Sequence, residues 1–208
     1  AVVGVDLLAH GVPYNGTART SELSSADDTV RAIVPIAGHD RVAPVNTSWS
    51  FGGPSAALPP NMATLFSLRD VQGYDSLLPG QYKAWLRDRL GVDPSPPEVG
   101  NMIFLKRPDA GVLDAMGVRV VLSVSPLDLP DAVANQRDGM WVYTRRHWSE
   151  RARAVIDDGR SVGVQYLTDE PARVRLTVTM PSPGRLELAD QFWPGWHAWD
   201  SRGPLTIQ

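Results

Sequence analysis

The chain contains no cysteine. That excludes a disulfide frame, thiolate catalysis and a cysteine-held metal. An extracytoplasmic location stays open, because an exported domain does not require disulfides. Long apolar runs are also missing. No stretch approaches the ~18–20 residues that cross a bilayer, and no charged segment followed by an apolar core opens the chain. Lysine is nearly absent, since 18 of the 20 basic residues are arginine. Strong charge of either sign is lacking too. A net charge of -3 and a pI near 5.8 do not carry the basic footprint of a nucleic-acid binder, so no nucleic-acid partner is expected.

Catalytic signatures are equally sparse. The four histidines, His10, His39, His147 and His197, are scattered, and no two have the spacing of a zinc protease. No Gly-x-Ser-x-Gly elbow and no Gly-rich phosphate loop occurs. His39 with Asp40, and His197 with Asp200, are the near pairs of histidine and acid. Both read as exposed loop residues. No catalytic residue, metal site or cofactor is therefore assigned. Acids are numerous, but sequence cannot place two of them ~5–10 Å apart across a sugar, so no glycosidase pair is named.

What is present suits a folded chain. Its 208 residues and 43% hydrophobic content fit one large domain or two small ones. Residues 1–9 are mostly apolar and read as a first strand or the stump of a preceding helix. Ser25 to Asp28 fits a capping box. Val30, Ile33 and Val34 then give the stripe of a short helix, expected to stop before Pro35. Arg41–Val45 reads as a short edge strand, because Pro44 cannot donate to a ladder. Residues 46–61 form a loop rich in Ser, Gly and Pro. Tyr82, Trp85, Leu86 and Leu90 fall at helical spacing, closed by Gly91. Pro108, Val112, Leu113, Met116 and Gly117 spell a compact helix with both ends marked. Val118 to Val124 follows at once as a strand buried on both faces.

The second half changes character. Residues 140–144 and 152–156 are strand candidates. Val174, Leu176, Val178 and Met180 alternate with polar residues, as in a sheet with one wet face. Pro181 to Gly184 is a turn, after which Leu186 and Leu188 resume the alternation. The expected fold is α+β: an α/β layer portion over residues 1–128, then an antiparallel β-sandwich-like portion over 139–208.

Two segments carry candidate binding residues. The first is Phe192-Trp193-Pro194-Gly195-Trp196-His197-Ala198-Trp199, with four aromatics in eight residues. Trp193, Trp196 and Trp199 can plug the end of a β-sandwich, or offer flat apolar faces to a sugar ring. The second is Gly73-Tyr74-Asp75-Ser76-Leu77-Leu78-Pro79. Its plain role is a cap and core anchor before the helix at 80–90. Its other role places Tyr74 and Asp75 at a ligand cleft beside the loop that ends at Asn61.

Several motifs in order resemble the large C-terminal extracytoplasmic region of the YfhO family of bacterial multi-pass membrane proteins. They are Asp6-Leu7, Arg41-Val42, Pro59-Pro60-Asn61, Gly73 to Tyr82, Val112 to Leu122, Val142-Tyr143-Thr144, and Leu186 to Ala198. Val120 stands where the family often has tyrosine, Glu150-Arg151-Ala152 lacks the family's proline, and Ser201-Arg202-Gly203 departs from its closing pattern. The resemblance implies a glycosyltransferase-like parent that uses polyprenyl-phosphate sugars, some members being linked to teichoic acids or other envelope polymers. It implies that the catalytic acid lies in the membrane core, outside this chain. It also implies further strands after Gln208, and a chain starting at Ala1 reads as an excised piece.

The expected function is thus a non-catalytic accessory domain on the extracytoplasmic face of a bacterial membrane. Its partners would be the membrane core of the parent and an envelope glycan. A secreted carbohydrate-active hydrolase is the first alternative, and requires two facing acids with shifted pKa values in a concave pocket. A structural or interaction module without a small ligand is the second, and requires all three tryptophans buried. The glycan reading requires at least one tryptophan ring open beside polar side chains.

Overall fold

The computed structural model describes Val5 and residues 27–46, 57–95, 101–103 and 105–207. The rest of the 1–9 run, Ser25 and Ala26 of the capping box, and residues 47–56 of the long loop lie outside the described residues. In chain order the elements are α1 (Asp27–Ala37), β1 (Arg41–Val45), a 3-10 turn (Met62–Phe66), β2 (Arg69–Asp70), β3 (Gly73–Tyr74), α2 (Gly80–Leu90), β4 (Met102–Ile103), α3 (Ala110–Ala115) and β5 (Val118–Ser123). Then follow β6 (Ala132–Arg137), β7 (Met140–Arg145), β8 (Ala152–Ile156), β9 (Ser161–Gly163), β10 (Gln165–Glu170), β11 (Arg173–Thr177), β12 (Gly184–Leu188), β13 (Ala198–Asp200) and β14 (Gly203–Leu205). The fold is α+β.

The first unit is a five-stranded sheet in the order β2-β1-β5-β7-β6. β1 runs parallel to β2 and β5, and β7 runs antiparallel to β5 and β6. Both faces are covered, as the continuous apolar run of β5 requires. On one face Val30 and Ile33 of α1 pack with Val42, Val120 and Leu122. On the other, Leu86 of α2 and Leu113 of α3 pack with Ala43, Val118 and Tyr143. The helix ends follow local chemistry. Asp109 caps α3 by accepting from the Val112 amide at 2.9 Å. Gly91, at φ 68°, closes α2 by donating to the Arg87 carbonyl.

Three expectations change. α1 does not stop before Pro35 but carries it in its last turn. The ring removes the amide that would donate to the Arg31 carbonyl, so one rung of the ladder is lost while the helix runs on to Ala37. Strand β1 is interior, between β2 and β5, not an edge. Pro44 is tolerated because its side of β1 is open there. Val42 accepts from Val71 and Asn46 donates to Leu105, so two-residue alternation leaves Pro44 facing the gap between these bonds. Lastly, hairpin β6–β7 completes the first sheet, so the change to all-β structure falls between Arg145 and Ala152, not at 128–139.

The second unit is all-β: β12-β8-β9 form one sheet, and β10–β11 and β13–β14 form two-stranded ladders. Its most buried strand among the described residues is β8, where Ala152, Ala154, Val155 and Ile156 are buried and Arg153 half-buried. From 157 to 207 the strands are half-buried or exposed.

A charged seam joins the two units. The Arg151 side chain is 4% exposed and holds Asp169 at 3.0 Å and Asp190 at 2.6 Å. From the first sheet, Arg41 pairs with Asp190 and Arg69 reaches Asp169 at 2.6 Å. Arg41 also donates to the carbonyls of Met116 and Ala189. Burial alone disfavours each carboxylate, but hydrogen bonds from His39 and Arg151 hold Asp169 below its ordinary range, and those from Arg151 with the charge of Arg41 hold Asp190 below. Burial likewise lowers the Arg151 pKa, and its bond to Asp190 more than reverses this. Gly117 makes the seam close. A side chain there would put its Cβ 2.7 Å from the Arg151 Cα, on a backbone at φ +66°.

Truncating Arg151 to Ala leaves two carboxylates without their main partner, and should cost about 3–5 kcal/mol in denaturant unfolding. Gly117→Ala should cost at least ~2 kcal/mol, through left-handed strain and overpacking. A loss below 1 kcal/mol for both variants would show that the seam is not what holds the units together.

Candidate functional site

The closing segment builds a groove around a single hairpin. β13 pairs with β14 through Ala198↔Leu205, Trp199↔Pro204 and Asp200↔Gly203. Its turn is closed by the Asp200 carboxylate, which accepts the Arg202 amide at 2.8 Å. Before it, Pro194 and Gly195 turn the chain, and the Trp196 amide donates to the Trp193 carbonyl at 2.9 Å. The resulting groove has a volume near 500 Å³. Phe192, Trp196, His197, Trp199, Asp200 and Leu205 are among its walls.

The tryptophans are not a core plug. Trp199 is 70% exposed and Trp193 57%, with Trp196 half-buried. A ring this open forfeits its burial energy, roughly 1.5–3 kcal/mol for a large apolar side chain. Trp196 and Trp199 share the groove, while Trp193 stands outside its lining on the preceding turn. The requirement of the structural-module alternative, three buried rings, is therefore not met. His197 and Asp200 line the same groove, so an open aromatic face lies beside polar groups. Asp200 is tied to Arg202 rather than to His197, with Nε and Nη2 donating at 3.0 and 2.8 Å. These bonds hold its carboxyl below the usual range.

The second candidate segment does come together, but mainly through backbone. Asn61 adopts a left-handed conformation at φ 69°. Its side-chain amide donates to the Tyr74 carbonyl at 2.7 Å and accepts the Tyr74 amide at 3.2 Å. The ring of Tyr74 is 45% exposed, not buried as a core anchor. Asp75 accepts the Leu77 amide at 2.8 Å and so caps the turn that follows it, while the cap position of α2 is Pro79. Asn61, Tyr74 and Asp75 thus stitch a loop to β3. They stand on the first unit, and the tryptophans stand on the second.

A cleft near 530 Å³ bears on the hydrolase alternative. It is lined by Asp114, Asp128, Asp131, Arg145 and His147, among others. Arg145, its side chain only 2% exposed, pairs with Asp114 at 2.8 Å and Asp131 at 2.9 Å. Both acids are therefore held as the anchors of one guanidinium. Raised carboxyls exist elsewhere. Glu150 is raised by partial burial and then by Asp40, and Asp70 is raised to about 7 by burial. Neither lines either groove. Among the described residues, no group of three His, Asp or Glu is placed to hold a metal ion.

Some roles escaped sequence reasoning. Asp40 is not a free loop acid but accepts the Trp148 indole at 2.8 Å and the Arg151 amide at 2.8 Å. His39 bonds Asp169 at 2.7 Å and stacks on Tyr166, with ring centres 4.0 Å apart. No local pattern marks these contacts, since their partners lie more than 100 residues away. The Asp200–Arg202 pair was findable: an acid two residues before an arginine in a Gly-terminated turn is a local signal.

Asp70 yields a pH test. One of its carboxyl oxygens is buried without a hydrogen-bond partner among the described residues, and the other accepts the Gln72 amide at 2.8 Å. Its ordinary pKa of 3.8 rises to about 7 in the folded chain. The folded state thus holds a proton that the unfolded state has released, and Asp70's contribution to stability falls as pH climbs from 3.8 to 7. Thermal melts of Asp70→Asn and the parent chain should diverge across that window, the variant gaining relative stability as pH rises. Parallel curves would remove Asp70 as the titrating group.

Among the described residues no helix is long and apolar enough to cross a membrane. Compared with protein-family models, curated proteins and solved structures, the chain matches none, so the groove and the seam are argued from their own geometry.

Proposed function

We propose that the chain is a non-catalytic, glycan-binding accessory domain on the extracytoplasmic face of a bacterial membrane. In this reading it belongs to a YfhO-like multi-pass protein of the glycosyltransferase type and works beside that protein's membrane core. The ordered motifs from Arg41-Val42 to Ala198 support the family part of the proposal. One observation carries the binding part: the Trp199 ring is 70% exposed in a groove that also holds His197 and Asp200. An indole face takes the apolar side of a sugar ring, and neighbouring polar groups take its hydroxyls. The hydrolase alternative has less to stand on, because Arg145 binds two acids of the other cleft.

Tryptophan fluorescence and calorimetry with envelope polysaccharide fragments test the proposal. Binding should shift the emission of the parent chain. Trp199→Ala should weaken binding at least about tenfold, or ~1.4 kcal/mol, with the unfolding midpoint unchanged, since the ring supports no core. Equal binding by the variant would move the site away from the groove.

A further inference from the structure

We propose that the Trp199 groove takes an uncharged sugar and rejects acidic polymers, and that the Asp200–Arg202 pair sets this choice. The inference rests on the glycan-binding reading above and narrows it to a ligand class. Among the groove's walls, Asp200 is the residue with a fixed charge. The nearby cation, Arg202, sits outside the lining and gives its backbone amide, Nε and Nη2 to Asp200 at 2.8, 3.0 and 2.8 Å. Its side chain is 87% exposed, so the guanidinium is in water on its other side and is not offered to the groove.

This arrangement has two effects. A phosphate or uronate in the groove meets a carboxylate and finds its natural partner already engaged, which disfavours it by like charge and by a lost charge-assisted bond. A neutral sugar meets no such cost. Its C–H face can lie on Trp199, and its hydroxyls can donate to the remaining lone pairs of Asp200 and bond His197. The carboxylate is also held in place, because one oxygen closes the hairpin turn and the other carries the guanidinium. Three other arginines of the second unit are paired as well, away from the groove. Arg153 and Arg185 share Glu187, and Arg160 pairs with Asp158.

The test titrates the 208-residue chain with two sets of probes at about 0.15 M salt, where long-range attraction is screened. Galactan and mannan fragments form the neutral set. Hyaluronan fragments and poly(glycerol phosphate) form the acidic set. Neutral fragments should bind at least about tenfold more tightly. Asp200→Asn keeps an oxygen for the turn, removes the charge and releases Arg202. It should raise the ratio of acidic to neutral affinity about tenfold, a change that mere loosening of the hairpin would not produce. Tighter binding of the acidic set by the parent chain, or an unchanged ratio in the variant, overturns the inference and leaves glycan binding intact. No binding of either set overturns the glycan reading itself.

Discussion

The fold turns on the burial of one guanidinium. Arg151 lies between the two units, and its charge is tolerable only because Asp169 and Asp190 meet it there. Each carboxylate in turn has a second cation, Arg69 or Arg41, reaching out of the first sheet. An ion pair of this kind adds little stability over an apolar contact, but any broken member leaves a charge stranded away from water. The network therefore selects one docking geometry among many. Apolar surfaces alone would let two small sheets slide. Directional bonds from Arg41 to two carbonyls and a carboxylate do not.

Around that seam the two units have different physics. The first is a layered core with helices on both faces of its sheet. The second has one buried strand and a set of twisted ladders with wet faces. Its apolar residues are consequently visible at the surface, among them Leu167, Leu186, Trp193 and Trp199. Leu167 sits at a register shift between β10 and β11, where an extra residue is turned out of the ladder. Exposure there follows from local pairing, whereas exposure at Trp199 shapes a groove.

Much of the first unit could be read from the chain because its signals are local. Helix α2 shows its stripe at Tyr82, Leu86 and Leu90, and its stop at Gly91. α3 and β5 are adjacent and sharply marked at Gly117. β6 was illegible for a physical reason: Ala132 to Arg137 is an exposed edge whose partner β7 supplies the burial. Pro35 misled because a proline removes a single rung, and the packing of Val30, Ile33 and Ala37 holds α1 on the sheet without it. Of the site, the aromatics were plain, but the groove was not. It depends on the register of Trp199 against Pro204, a pairing created by the turn between them. The seam was the least legible part, since Arg41 and Asp190 are 149 positions apart.

The groove is carried by a ladder of two short strands, β13 and β14, that joins no larger sheet among the described residues. A hairpin of that size holds its own order only weakly in water. Occupancy and hairpin order are then one equilibrium rather than two. Whatever settles against Trp199 must also quiet the strands that present it, and its apparent affinity is the contact energy less the entropy of that ordering. On the proposed glycan reading, this means weak capture of single sugars, strengthened by repetition along a polymer.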